Sequence, residues 1–135
     1  MSANDNVKTI QSVYEAFGRG DVAAILEVLT DDVDWASEAA DAAGAPWYGV
    51  HHGHDGVAGF FEAFGSTMEV EEFTPSVFAA TDTEVLTIVR FRARTRSGGR
   101  QVAMDLHHRF TFRDGKIAYY RGTEDTEQTV SALRG

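Results

Sequence analysis

The sequence contains no cysteine, two prolines and, among its twelve basic residues, only two lysines, Lys8 and Lys116. Without cysteine there is no disulfide, no thiol nucleophile and no cysteine-ligated zinc. No run approaches the ~18 apolar residues of a membrane-spanning helix. The polar, acidic start Met1-Ser2-Ala3-Asn4-Asp5 is not a basic-then-apolar leader, so a cytoplasmic location is expected. Positive charge is also in short supply. Twelve basic residues against 21 acidic ones leave a net charge of −9, which repels phosphate backbones and anionic lipid. Nucleic acid and membrane surfaces are therefore not expected as partners, and small neutral ligands remain.

What is present reads as one globular domain over residues 1–135. Apolar residues make up 43% and charged residues 24%, close to globular averages, and the length suffices for one sizeable core. From Asn4 to Gly18, Val7, Ile10, Val13, Tyr14 and Phe17 recur at three- and four-residue steps and predict an amphipathic helix. Gly18-Arg19-Gly20 ends it, and Asp21 is placed to cap a short second helix carrying Ile25, Val28 and Leu29. Val33 to Ser37 reads as a strand with Val33, Trp35 and Ser37 on one face. Glu38 to His52 shows no period and reads as a long loop, a candidate lid carrying Trp47 and Tyr48. Val57, Phe60, Phe61 and Phe64 predict a third helix ending near Gly65, its aromatics packed on the sheet.

Beyond that helix the pattern is β to the end of the chain. Met68 to Ala80 alternates with a break at Pro75, as in a bent or edge strand. In Glu84 to Arg96, Val85, Thr87, Val89, Phe91 and Ala93 oppose Leu86, Ile88, Arg90, Arg92 and Arg94; the arginines form a solvated or dimer-facing stripe balanced by acids. Gln101 to Asp125 is a hairpin with an Asp114-Gly115 turn, in which Leu106, His108, Phe110 and Phe112 share one face and Asp105, His107, Arg109 and Thr111 the other. Helices followed by a meander predict an α+β fold, one curved sheet with its concave face covered by helices.

His108 is the best-placed candidate for chemistry, since it alone among the histidines shares an apolar strand face. It is either a core residue with a hydrogen-bond partner or a titratable group in a pocket. His51, His52 and His54 near Asp55 lack the spacing of a metal site, because neighbouring histidines seldom point to one ion. A solvated loop, or capping of the third helix by Asp55, fits better, and His52 is retained as a residue at a pocket mouth. No metal site is expected.

Four segments in order, Arg19-Gly20-Asp21, Leu29 to Trp35, Gly53 to Phe61 and His108 to Ile117, resemble the SnoaL-like branch of the NTF2-like superfamily. The resemblance spans nearly the whole chain. It implies a cone-shaped α+β roll, three N-terminal helices on a mainly antiparallel sheet, enclosing an apolar pocket and often forming a homodimer. The family includes ketosteroid isomerases, polyketide cyclases, limonene-epoxide hydrolases and non-catalytic binding proteins, so the fold does not decide function. The tyrosine, protonated acid and base of the isomerases fall on Val13, His108 and Ser37, with Tyr14 one residue, or about 100°, round the helix. Two of the three are lost. The last-strand acid of cyclases and epoxide hydrolases falls on Gly122, and Arg90-Phe91-Arg92 does not reproduce the Arg-x-Asp of the hydrolases.

The resemblance thus implies binding of a small hydrophobic carbonyl compound, polyketide- or steroid-like, with acid-base chemistry that uses no cofactor. His108 would act as base or electrophile, oriented by Glu124 or a backbone carbonyl. Val13, Phe17, Trp35, Ser37, Trp47, Tyr48, His52 and Phe60 would line the pocket. The alternatives are a non-catalytic binding or dimerising module, or a scaffold that uses the convex sheet face.

Overall fold

The structure, a computed structural model, describes residues 2–135. Helix α1, Ala3–Arg19, opens on a capping box: the Ser2 hydroxyl accepts from the Asp5 N–H at 3.1 Å while Asp5 accepts from the Ser2 N–H at 3.3 Å. It ends at Gly20, whose φ of 70° is the left-handed conformation expected of a helix-terminating glycine. Asp21 caps α2, Val22–Glu27, through the Ala24 N–H at 3.1 Å, as its position in the sequence implies. Strand β1, Leu29–Ser37, follows, then β2, Gly49–His52, α3, Gly53–Thr67, and the strands β3, Met68–Ala80, β4, Glu84–Thr95, β5, Gln101–Arg113, and β6, Lys116–Thr123. A terminal helix, α4, spans Thr126–Arg134.

The six strands make one sheet in the order β2-β1-β6-β5-β4-β3, antiparallel except for β1 beside β6. Register shifts interrupt β1–β6, β5–β6 and, twice, β3–β4, one of the last at Pro75–Val77. Such bulges bend and twist a sheet, and Pro75, which lacks an N–H, sits on edge strand β3 where no ladder bond is lost. The concave face holds the core: Val85, Val89, Phe91, Phe110 and Ile117 from the strands, Ile10 and Val13 from α1, Val57 and Phe60 from α3. Burying each large apolar side chain contributes about 1.5–3 kcal/mol. On the convex face Arg92 and Arg94 pair with Glu71, Arg92 also with Glu72, and Arg90 with Asp105, which accounts for the arginine stripe.

Three expectations are corrected. The chain is not β to its end, because Asp125 caps α4 through the Gln128 N–H at 3.1 Å and Thr129 packs inward. Residues 38–52 are not one loop: Ala42–Gly44 form a 3-10 turn, and β2 pairs with β1 as an edge strand too short to show a period. Asp55 lies in the first turn of α3 but makes no capping bond; that helix has no side-chain cap. Among the described residues no helix is long and apolar enough to cross a membrane.

Candidate functional site

Strand register places four residues in a row across the concave face. Ser37 on β1 pairs with Gly122 on β6, Gly122 with His108 on β5, and His108 with Thr87 on β4. Directly opposed residues stand about 5 Å apart, so Ser37, His108 and Thr87 form a polar strip interrupted at Gly122. In the next row Trp35, Tyr120 and Phe110 pair in the same manner. Trp35 stacks on Tyr120 with ring centroids 4.1 Å apart and an interplanar angle of 31°. The two rows face α1 and α3 across a cavity of about 80 Å3. Its walls are mostly aromatic, with Phe17, Phe61 and Phe64 on the helices and Phe73 on β3.

The polar strip is wired from α1. The Tyr14 hydroxyl lies 2.7 Å from His108 Nδ1 and 2.6 Å from Thr87 Oγ1. Burial draws the His108 imidazole down from its ordinary 6.5 to about 3, so the ring is neutral at physiological pH. Burial likewise raises the Tyr14 phenol, which keeps its proton. A Tyr14 hydroxyl that donates to Nδ1 puts the ring proton on Nε2.

A second polar station lies just beyond β6. Glu124, in the cavity wall, accepts on one oxygen, Oε2, from Tyr48 at 3.0 Å and from Thr129 at 2.6 Å. Burial raises its pKa, against the lowering effect of these two bonds. Both bonds fall on one oxygen, so Oε1 keeps its lone pairs for a ligand.

Of the residues expected to form the pocket, Val13, Phe17, Trp35, Ser37, Trp47, Phe60, His108 and Glu124 line the cavity. Tyr48 stands behind the wall, buried, and braces Glu124. His52 lies exposed at the end of β2, outside the cavity lining, because strand alternation turns its side chain away while its neighbour His51 packs against Phe60. His51 donates to the Trp47 carbonyl at 3.0 Å and His54 to the Leu29 carbonyl at 3.1 Å. Glu124 does not orient His108; Tyr14 does. The cavity wall also holds residues that the sequence does not single out, Tyr14 and Tyr120 among them. Tyr14 was set aside for lying one residue from Val13, yet the hollow of the sheet wraps far enough round α1 that both reach the cavity. Tyr120, whose phenol burial holds well above its ordinary range, shares the cavity face with Gly122 through their i, i+2 relation on β6.

Solved structures of the same fold accompany this geometry. The chain is similar to an NTF2-like protein of Burkholderia xenovorans LB400, at 27% identity and a TM-score of 0.87, covering 98% of each chain. An NTF2-like protein of unknown function from Burkholderia pseudomallei K96243 aligns over 100% of both chains at 24% identity and a TM-score of 0.89. TerC, co-crystallised with polyporic acid, aligns at 22% identity and a TM-score of 0.83, over 97% of this chain and 99% of its own. No curated protein matches by sequence. The model of the SnoaL-like domain matches residues 10–120, and the chain belongs to that family, with the NTF2-like fold.

Proposed function

We propose that the cavity binds a compact hydrophobic carbonyl compound of the polyketide or steroid type and moves a proton at the carbon beside the carbonyl. The observation that carries this reading is the pair of polar stations in an otherwise aromatic cavity: His108, aimed by Tyr14, and Glu124, with one oxygen committed and one free. Burial lowers the basicity of the His108 imidazole to about 3, which favours the electrophile over the base among the two roles open to it. It acts as a neutral electrophile, its Nε2–H donating to the carbonyl oxygen and strengthening that bond as enolate charge develops. Glu124 is the base. Its raised pKa brings the carboxylate nearer to the operating pH and makes it a better proton acceptor than an exposed one. The reading needs neither metal nor organic cofactor. Co-crystallisation of TerC with polyporic acid supports a small-molecule ligand for this fold.

The experiment uses 1-tetralone, an apolar bicyclic ketone with exchangeable α-protons, in deuterated buffer, followed by proton NMR. The wild type should accelerate α-exchange above buffer. Glu124→Gln should reduce exchange to background, and His108→Ala should slow it by about a hundredfold, the usual cost of one oxyanion donor. Binding without accelerated exchange would reduce the protein to a ligand-binding module and sink the catalytic reading.

A further inference from the structure

The polar strip has a gap at Gly122, and the gap is filled from the neighbouring row. A Cβ at position 122 would lie 2.3 Å from Tyr120 Oη, 3.0 Å from its Cζ and 3.3 Å from His108 Cδ2. The first distance is far inside van der Waals contact, so a side chain at 122 and the Tyr120 hydroxyl exclude one another. Tyr120 stands two residues earlier on the same strand and face, and its ring leans along β6 to bring the hydroxyl over the glycine. Trp35 at 4.1 Å, Phe110 at 5.0 Å and His108 at 5.3 Å between ring centroids hold it there.

The hydrogen-bonding surroundings of this hydroxyl run short of acceptors. Among the described residues the Tyr120 hydroxyl makes no side-chain hydrogen bond; only the Tyr120 backbone carbonyl accepts one from a side chain, that of Arg121 at 2.8 Å. The phenol O–H is then free to donate. The indole N–H of Trp35, on the ring stacked against Tyr120, is buried without a protein partner. Tyr120 Oη and the His108 ring border the same point, the place a Cβ at 122 would occupy. The phenol oxygen and the edge of the His108 ring thus stand side by side over Gly122, where one ligand oxygen can lie against both.

We infer that Tyr120 is the second donor to the ligand's carbonyl oxygen, paired with His108 across Gly122, and that Gly122 is the residue that admits it. This inference rests on the reading of the cavity as a carbonyl site.

The test measures 1-tetralone affinity by quenching of tryptophan fluorescence and the carbonyl stretch of the bound ketone by infrared difference spectroscopy. Tyr120→Phe should weaken binding about three- to tenfold, the net value of one hydrogen bond, and return the carbonyl stretch part of the way to its free frequency. Tetralin, which has no oxygen, should bind wild type and Tyr120→Phe alike. Gly122→Ala should displace the hydroxyl and reproduce the spectral change, with a lowered melting temperature that Tyr120→Phe in the same chain partly restores. An unchanged affinity and frequency in Tyr120→Phe, with His108→Ala still weakening binding, would overturn this inference and leave the proposed function standing. Failure of the wild type to bind 1-tetralone would remove both, and failure of the double variant to recover stability would overturn the role of Gly122.

Discussion

Mild acid should destabilise this protein through His108, over a pH range in which most carboxylates are still ionised. The folded ring titrates at about 3 because burial disfavours its charged form, whereas the unfolded ring titrates near 6.5. Between those values the unfolded chain binds a proton that the folded one refuses. Stability is therefore intact above pH 6.5 and is lost as pH falls from there toward 3, with a slope of about 1.4 kcal/mol per pH unit. A drop from pH 6 to 4.5 costs about 2 kcal/mol by this route, or about 6–8 °C in melting temperature for a domain of this size. Urea unfolding at half-unit pH steps, followed by the fluorescence of the buried Trp35 and Trp47, measures the slope. His108→Phe is the control. It lowers stability at neutral pH because Tyr14 loses its partner, yet its slope between pH 6 and 4.5 should be shallower than that of the wild type by the contribution of one proton. Equal slopes in the two proteins, or a His108 ring resonance that titrates near 6.5 in the folded state, would refute the assignment of a half-buried, neutral imidazole.

Glu124 has the opposite sign. Its folded pKa is raised, so its contribution is present below about 4.5 and is lost as pH rises through the folded value. Glu124→Gln, which keeps an acceptor for Tyr48 and Thr129, should be more stable than the wild type at pH 8 and lose that advantage at pH 4, as read by urea unfolding at the two values. Gly44 packs against α4, where an added Cβ would stand 2.9 Å from Val130 Cγ2. Gly44→Ala should cost about 1 kcal/mol by overpacking and raise hydrogen exchange in the α4 amides while that of β4 and β5 is unchanged.

Much of the fold was legible in the sequence because its signals are local. The alternation in Glu84–Thr95 assigns Val85, Thr87, Val89, Phe91 and Ala93 to the buried face, and the structure keeps that assignment residue by residue. Gly20 and Asp21 mark the α1–α2 junction by conformational freedom and capping chemistry that need no distant partner. The four family segments likewise lie within the residues matched by the SnoaL-like model. Where a signal was weak or short, the reading failed. The four residues of β2 acquire their strand only by pairing with β1, and α4 is anchored in part by Gln128, whose side chain accepts from the Ala103 N–H at 2.6 Å.

The sequence by itself determined the longer elements, the faces of the long strands, the family and the place of His108 on the apolar side of β5, because each follows from a period or a motif within a few residues. The tertiary structure alone decided which groups meet there. Tyr14 reaches His108 across 94 positions of sequence and Tyr48 reaches Glu124 across 76. Periodicity states the face on which a side chain stands. It does not state how far a curved sheet wraps a helix, or how far one ring leans along its strand. Those two quantities bring Tyr14 to His108 and lay the Tyr120 hydroxyl over Gly122, and both arise from strand register and bulges distributed over the whole sheet.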